Sequence, residues 1–237
     1  MTTHTVVSPE QWLAARRQLL EKEKALTRAQ DELAQARRAL PWRRVDEPYV
    51  FDGPGGPESL ADLFAGRSQL IVYHFMFGPS AERGCKSCSF WADNFNAAVP
   101  HLAARDVTLV AVSRAARPLL EAFERRLGWS FKWVSSGQSN FNFDFGVSFR
   151  DEDRKSGKAT YNYAPSTEGP ADLHGVSVFF KDETGSVFHT YSTYGRGLDA
   201  LNGTYRYLDI VPKGRDEDGL PSPNAWLRLR DEYPESA

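Results

Sequence analysis

The stretch Leu70-Ile71-Val72-Tyr73-His74-Phe75-Met76-Phe77, followed by Gly84-Cys85-Lys86-Ser87-Cys88, decides the fold of this 237-residue chain. The first segment is an apolar run of strand length, which is typical of a central strand buried on both faces. The second segment holds the only two cysteines of the chain, three positions apart. A strand, a short loop and a C-x-x-C at the start of a helix together indicate a redox centre.

The chemistry of the two cysteines follows from their place at a helix N-terminus. Unpaired N–H groups and the positive end of the helix dipole stabilise a thiolate there, and Lys86 adds a nearby positive charge. Both effects lower the pKa of a thiol from about 8.5 toward neutrality, and the thiolate is the reactive form. We predict that Cys85 attacks, that Cys88 resolves the mixed disulfide, and that Lys86 helps to hold Cys85 ionised.

Other interpretations of the cysteine pair stay open at this point. A structural disulfide across so short a loop would constrain the unfolded chain little. A zinc site needs further Cys or His ligands, which usually arrive as a second pair. The chain has no second pair, and its histidines are scattered, at His4, His74, His101, His174 and His189. Thiol redox chemistry is therefore favoured over a mononuclear metal site, and the metal site over a structural or coincidental pair.

The wider pattern predicts an α/β protein. The expected elements, in order, are a hairpin turning at 52–57, a short helix at 59–64, a strand at 70–77, a helix from about 87 to 105, a strand at 107–112, a helix at 118–127, a hairpin of strands 176–180 and 187–191, and a helix at 197–208. A parallel strand pair joined by a helix and followed by an antiparallel hairpin gives an α/β/α sandwich with a mixed sheet. The cysteines then lie at the carboxyl end of a central strand, where open α/β sheets place their sites.

Residues 1–44 are predicted to form an N-terminal helical arm. Ser8-Pro9-Glu10-Gln11 supplies an N-cap, a proline at the first helical position and a capping-box glutamine. Apolar side chains recur every seven residues, as in a helix–helix seam, at Trp12, Leu19, Leu26, Leu33 and Leu40. This seam either pairs with another subunit, giving a homo-oligomer, or lies along the chain's own domain. The core domain is predicted at 45–211, with a polar, irregular insertion at 150–173 and a polar, proline-rich tail at 212–237.

The composition argues against several classes of function. A net charge of −2 argues against general nucleic-acid binding, which needs a basic face. No segment reaches the roughly 18–20 apolar residues that a membrane span requires. The first residues lack the basic start and apolar stretch of a secretory signal. We therefore expect a cytoplasmic protein without membrane or nucleic-acid partners, a setting in which C-x-x-C is more often catalytic or metal-binding than a permanent disulfide.

The element order, with C-x-x-C after the first parallel strand, resembles the thioredoxin superfamily, and residues 49–194 resemble its peroxiredoxin-like branch. More narrowly, the chain resembles one bacterial family of thioredoxin-like proteins, known as domain of unknown function 899. The matching runs are YHFMFGP at 73–79, GCKSCSFWADN at 84–94, VSR at 112–114 and HTYSTY at 189–194. The resemblance covers nearly the whole chain and implies the thioredoxin-like fold, without an established substrate.

Two departures from the wider superfamily bear on the activity. Thioredoxin-type oxidoreductases carry a cis-proline just before the first strand of the second hairpin, but His174-Gly175-Val176 stands there in this chain. Thiol peroxidases place a threonine three residues before the reactive cysteine, and here that residue is Glu82. The resemblance therefore transfers neither a general disulfide reductase activity nor a standard peroxidase activity.

A copper site is the alternative that a second resemblance implies. Sco-type copper proteins share the fold and bind copper through paired cysteines and a histidine before the second hairpin. By that resemblance, Cys85, Cys88 and His174 would hold copper, since thiolate and imidazole ligands suit this metal. Those proteins use C-x-x-x-C and are tethered to membranes, unlike this chain. The thiol hypothesis requires no cofactor, whereas this alternative requires copper.

Several further side chains are candidates for the site. Arg114 follows the second buried strand at the same end of the sheet and would anchor an anionic substrate. Trp91 would line an apolar pocket near the thiols, together with the aromatic residues Phe141, Phe143, Phe145, Tyr161 and Tyr163, although core packing explains most of this cluster more simply. His74 is expected to be a satisfied core histidine, and His189 to face either the core or a cleft.

Three hypotheses for the function follow from the sequence. The first is a thiol–disulfide oxidoreductase acting on a protein or small molecule that carries a thiol or disulfide. The second is a copper-binding protein or copper-dependent oxidoreductase. The third is a non-catalytic interaction module that assembles through the helix at residues 8–40.

Overall fold

The computed structural model describes residues 4–234, so residues 1–3 of the predicted arm and 235–237 of the predicted tail lie outside it. The chain divides into two compact units, of which the first ends at Pro41 and the second begins at Trp42. In the described part of the chain, no helix is both long and apolar enough to span a bilayer.

The first unit consists of helix α1, which covers Pro9–Arg38 as the capping pattern predicts. The Gln11 N–H donates to the Ser8 hydroxyl, and the Ser8 N–H donates to the Gln11 side chain, so the capping box is formed. No residue of α1 is buried, and its seven-residue apolar stripe is exposed. Assembly of a homo-oligomer through this stripe stays a prediction.

The second unit is built on one mixed sheet, which has eight strands within residues 4–234. The strands are β1 (Arg43–Arg44), β2 (Val50–Gly53), β3 (Gly56–Ser59), β4 (Gln69–His74), β5 (Val107–Ser113), β6 (Lys132–Ser135), β9 (Gly175–Lys181) and β10 (Val187–Tyr194), while β7 (Thr160–Tyr161) and β8 (Ala164–Pro165) form a separate ribbon. The order in the sheet is β1-β10-β9-β4-β5-β6-β2-β3. Strands β4, β5 and β6 are parallel, and β9 is antiparallel to both β4 and β10.

Helices and apolar cores cover both faces of this sheet. The helices of the second unit are α2 (Lys86–Asn96), α3 (Val99–Ala103), α4 (Arg117–Leu127), α5 (Phe141–Asp144), α6 (Asp151–Lys155) and α7 (Gly203–Leu208), with two 3-10 helices at Asp62–Phe64 and Gly195–Leu201. Strand β4 alternates between two cores, since Tyr73 packs in one with residues of α2 and α4, and Val72 in the other with residues of α5. This arrangement confirms the predicted thioredoxin-like α/β/α sandwich with a mixed sheet.

Three element predictions need correction. The helix predicted from 87 to 105 is two helices, because Pro100 lacks an N–H and its ring excludes the carbonyl four residues earlier. The helix predicted at 197–208 is also divided, since Asn202 is extended and caps α7 by accepting a hydrogen bond from the Tyr205 N–H. Strand β4 ends at His74 rather than at Phe77, because its pairing with β9 ends there, although Phe75 and Phe77 still hydrogen-bond to the β5 side of the sheet.

The insertion at 150–173 is more regular than the sequence predicts. It contains α6 and the β7–β8 ribbon, whose turn residues Asn162 and Tyr163 have positive φ values of 50° and 63°. Two residues in the left-handed region are what a tight two-residue hairpin turn requires. The prediction of an irregular segment is therefore wrong for these elements.

The C-terminal segment packs on the core instead of forming a free polar tail. Leu227 and Leu229 are completely buried, and Leu229 belongs to the core that contains Cys88. The Trp226 ring lies 5.6 Å from the Phe90 ring of α2, measured between centroids. The sequence gives only a weak sign of this packing, because Arg228 separates the two leucines and Arg230 follows them.

We expect Leu229→Ala to lower the free energy of unfolding by about 2–4 kcal/mol, since it leaves a cavity in a core. Leu220→Ala, at a position in the same segment that is 37% exposed, is the matched control and should change stability by no more than about 0.5 kcal/mol. Urea denaturation of both variants measures the difference. A change in the free energy of unfolding for Leu229→Ala that is as small as that of the control would show that burial of Leu229 does not stabilise the fold.

Candidate active site

Cys85 lies where the sequence places it, at the carboxyl end of a central strand and at the N-cap position of α2. Its N–H donates to the Met76 carbonyl at 3.2 Å, which closes the loop after β4. Gly84 is needed at the preceding position, because a Cβ there would lie 2.8 Å from the Phe123 ring and 2.9 Å from the Phe75 ring. The local sequence thus holds Cys85 against the core that contains Tyr73 and Cys88.

The two cysteines are free thiols in different surroundings. Cys85 is half-buried, whereas Cys88, one turn further along α2, is 1% exposed. The Met76 N–H donates to the Cys88 sulfur at 3.4 Å, and this bond holds the buried sulfur against the loop that carries Cys85. Only Cys85 is therefore open to a molecule from outside.

Hydrogen bonding favours the ionised form of Cys85. The Cys88 thiol, together with the N–H groups of Cys88 and Ser87 and the Ser87 hydroxyl, lowers the pKa of Cys85 to about 6, against burial, which raises it. These N–H groups belong to the second and third residues of the helix, which are the groups that an N-cap side chain normally accepts from. A thiolate at Cys85 is therefore the main form near neutral pH.

Cys88 has the opposite tendency. Burial raises its pKa well above the usual range, and its proximity to Cys85 raises it further. The Met76 N–H and the Tyr73 hydroxyl oppose this rise, and the same hydroxyl donates to the Cys88 carbonyl at 3.4 Å. Burial and the neighbouring Cys85 therefore favour the protonated thiol of Cys88.

Lys86 is directed toward the C-terminal segment. Its ammonium group donates to the Ala225 carbonyl at 3.3 Å. The lowered pKa of Cys85 is accounted for by Cys88 and Ser87. The role of Lys86 in holding Cys85 ionised stays a prediction.

Trp91 and His174 form one wall of a cavity of about 680 Å³ beside α2. The Trp91 indole N–H donates to the Leu198 carbonyl at 3.1 Å, and the His174 ring lies 5.9 Å from the indole between centroids. Burial lowers the pKa of His174. Arg215 and Asp199, paired at 3.3 Å, line the same cavity.

The structure does not assemble the predicted copper site. Among residues 4–234, no group of three or more His, Cys, Asp or Glu side chains is placed to hold a metal ion. The His174 ring packs against the Trp91 indole, and copper binding by Cys85, Cys88 and His174 stays a prediction. No step that uses copper follows from this geometry.

Arg114 is already neutralised. Its guanidinium group pairs with Asp172 at 3.2 Å, and its central carbon lies 4.6 Å from the centre of the Phe143 ring. Both partners belong to segments that follow β6, and neither could be foreseen from the position of Arg114 after β5. Because Asp172 already pairs with Arg114, the guanidinium group is not free to anchor an anionic substrate as the sequence predicts.

The predicted aromatic pocket near the thiols is wrong for most of its members. Phe143, Phe145 and Tyr163 line a different cavity, of about 530 Å³, whose lining contains His189 and neither cysteine. Phe141 and Phe145 pack in the core on the sheet face opposite to Cys88, because α5 returns to that face after β6. Core packing therefore explains the aromatic side chains of Phe141 and Phe145.

Two residues near the thiols escape sequence reasoning. Tyr73 is 1% exposed in β4, and its hydroxyl reaches Cys88 only because β4 and α2 pack together. Ser87 is the second of the two variable positions of the C-x-x-C, and its contribution to the Cys85 pKa could have been found from the capping position alone.

Comparison with known proteins identifies a family and similar folds. A family model described as "Bacterial protein of unknown function (DUF899)" matches residues 1–233. A search of curated proteins finds no match. Among solved structures, peroxiredoxin Q of Xanthomonas campestris aligns at 16% identity and a TM-score of 0.44, over 72% of this chain and 98% of that one.

Two further solved structures are similar at the same level. Peroxidoxin BcpB of Mycobacterium tuberculosis aligns at 14% identity and a TM-score of 0.46, over 71% of this chain and 97% of that one. The mitochondrial 2-Cys peroxiredoxin of Plasmodium falciparum aligns at 12% identity and a TM-score of 0.41, over 71% of this chain and 92% of that one.

Proposed function

We propose that this chain, which belongs to the bacterial family DUF899, is a thiol–disulfide oxidoreductase that uses Cys85 as nucleophile and Cys88 as resolving thiol. The asymmetry of the two sulfurs carries the proposal, since hydrogen bonds lower the pKa of Cys85 to about 6 while burial raises that of Cys88. A permanent structural disulfide needs no such difference, whereas sequential attack by two thiols does.

The first step is attack by the Cys85 thiolate on one sulfur of a substrate disulfide. A bond forms between Cys85 and that sulfur, the substrate's own S–S bond breaks, and the other substrate sulfur leaves as a thiolate. The Cys88 thiol and the N–H groups of Cys88 and Ser87 favour the ionised form of Cys85 before attack. A pKa below the ambient pH makes the thiolate abundant, although it also makes each thiolate somewhat less nucleophilic.

The second step releases the substrate. Cys88 loses its proton to the departing sulfur and attacks Cys85, so that an internal Cys85–Cys88 disulfide forms and the reduced substrate leaves with two electrons gained. Residues three apart on a helix are neighbours on one face, which allows this bond. The Met76 N–H and the Tyr73 hydroxyl favour the thiolate of Cys88 as it forms. An external thiol reductant then regenerates the dithiol.

The pH dependence of alkylation tests the proposal directly. We expect iodoacetamide to modify Cys85 with a rate that rises through a midpoint near pH 6, the pKa of the thiol, whereas an ordinary cysteine has a midpoint near about 8.5. Cys88 should stay unmodified in the folded protein, and peptide mass spectrometry separates the two sites.

Ser87→Ala is the matched variant for this measurement. It removes the hydroxyl that helps to lower the Cys85 pKa but keeps both N–H groups, so its midpoint should rise only slightly. A wild-type midpoint near that of free cysteine, or faster modification of Cys88 than of Cys85, would contradict the proposed roles.

A further inference from the structure

A second cavity lies on the sheet face opposite to the cysteines. It has a volume of about 530 Å³ and is bounded by β10, α5 and the insertion that carries the β7–β8 ribbon. That volume falls within the usual range for sites that bind small molecules. Its apolar walls include Phe145, Phe149 and Tyr194. Neither cysteine lines it, so the proposed thiol chemistry does not account for it.

Two side chains able to carry positive charge face each other in this cavity. Arg43 of β1 is the direct cross-strand partner of His189 in β10, and both residues line the cavity. The extra residue Thr190 forms a β-bulge directly after His189, a feature that is common beside functional sites. Arg43 lowers the pKa of His189, in addition to the effect of burial.

The charge of Arg43 is not neutralised by the protein. No carboxylate pairs with its guanidinium group in residues 4–234, and its nearest charge-related contact is the Phe145 ring, at 5.8 Å. Of the two carboxylates of the cavity, Asp153 lies 3.7 Å from Arg150, and Asp144 accepts the Tyr49 hydroxyl at 2.8 Å without being paired with a cation in the described residues. The cavity therefore has an unpaired cation beside a histidine.

His189 is held from behind by a buried chain of hydroxyl groups. Its Nε2 lies 2.7 Å from the Ser192 Oγ and 3.1 Å from the Tyr191 carbonyl. Ser192 continues to Ser177 at 2.8 Å, and Ser177 to the Nε2 of His74 at 2.8 Å. These bonds fix the ring and use only Nε2, so the Nδ1 of His189 is left for a ligand.

From this arrangement we infer that the cavity binds a small organic acid, with its carboxylate between Arg43 and His189 and its apolar part against the aromatic walls. An anion there pairs with the Arg43 charge and favours protonation of His189, whose pKa is otherwise lowered by burial and by Arg43. The Arg43 guanidinium and, once the ring is protonated, the Nδ1–H of His189 can both donate charge-assisted hydrogen bonds to a carboxylate, and these are the strongest kind in proteins. The site is independent of Cys85 and Cys88.

Binding of benzoate, measured by isothermal titration calorimetry with the full chain, tests the inference. Benzoate should bind saturably with one site per chain, whereas the neutral isostere benzamide should bind at least about tenfold more weakly because it has no charge. Arg43→Gln should weaken benzoate binding by at least about tenfold. Arg44→Gln is the matched control, because Arg44 is the next residue of β1, pairs with Asp46 at 2.7 Å and does not line this cavity.

The pH dependence of benzoate binding tests the part played by His189. The other charged groups facing the cavity are Arg43 from β1, Asp144 from α5, and Asp153 and Lys158 from the insertion, together with Arg150. Of all the charged groups around the cavity, His189 is the one whose side-chain type titrates between about pH 6 and about pH 8. A bound anion raises the pKa of His189, so the affinity should rise severalfold as pH falls over this range. In His189→Gln this rise should disappear.

Three results would overturn the inference. They are the failure of both benzoate and hexanoate to bind the wild-type protein saturably, equal binding of benzoate and benzamide, and unchanged benzoate binding in Arg43→Gln. Circular dichroism of each variant, with the thermal midpoint compared with that of Arg44→Gln, separates loss of binding from loss of folding.

Discussion

The Cys88→Ser protein is expected to stop at a stable mixed disulfide when it is treated with glutathione disulfide. The substitution replaces the Cys88 thiol, the largest contribution to the lowered Cys85 pKa, with a hydroxyl that can also donate a hydrogen bond. The N–H groups of Ser87 and Cys88 belong to the backbone and are kept, so the Cys85 thiolate still attacks. Without the second sulfur, nothing within the chain can release the bound glutathionyl group. Intact-mass measurement should find one glutathione attached per chain, and peptide mapping should place it on Cys85.

The wild-type protein and Cys85→Ser complete this comparison. Wild type should pass through the mixed disulfide and end as the internal Cys85–Cys88 disulfide, with no glutathione attached. Cys85→Ser should acquire neither, because the remaining sulfur of Cys88 is 1% exposed and its pKa is raised by burial. Undiminished thiol turnover in Cys85→Ser would contradict the proposed function outright.

The fold could be predicted from the sequence because its strongest signals are local. The buried run of β4 and the capping box of α1 depend only on residues near each other in the chain. The capping box is found where the sequence places it, and β4 lies in the predicted run but ends at His74. The two helices whose predicted bounds are wrong are divided by single residues that the apolar pattern does not reveal. A single proline at position 100 divides a helix that its apolar pattern would continue, and Asn202 divides another.

The candidate site could be predicted only in part, for the same reason. The position of Cys85 at the N-cap follows from the strand and the helix that adjoin it. The contacts that decide the other candidates join segments far apart in sequence, such as Arg114 with Asp172 and Lys86 with Ala225. A single sequence shows a residue's chemical type but not which distant group neutralises it.

His74 illustrates a sequence prediction that is correct about burial but not about hydrogen bonding. It is a core histidine, as expected, with no exposed surface and with Nε2 bonded to the Ser177 hydroxyl at 2.8 Å. Its Nδ1, however, has no hydrogen-bond partner within residues 4–234. A buried group in this state is held neutral, because a charged imidazolium there would lack both water and a counter-ion.

The acid sensitivity of the fold should therefore depend on His74. Burial, together with the neighbouring His189, lowers the pKa of His74 to about 3 in the folded protein, whereas an unfolded histidine titrates near about 6.5. Since the unfolded chain binds the extra proton, the stability is fully present above about pH 6.5 and is lost as pH falls toward about 3. For this one group the loss between about pH 7 and about pH 5 is about 2 kcal/mol.

Urea denaturation at these two pH values, for wild type and His74→Gln, isolates that contribution. Glutamine keeps a polar partner for Ser177 but cannot take up a proton, so the variant should lose about 2 kcal/mol less than wild type over the same interval, whatever its stability at neutral pH. His101→Gln, at an exposed position of α3, should keep the wild-type dependence. If His74→Gln loses as much stability as wild type, His74 is charged or unburied in the folded protein, and the polar chain from His74 to His189 is not closed to water.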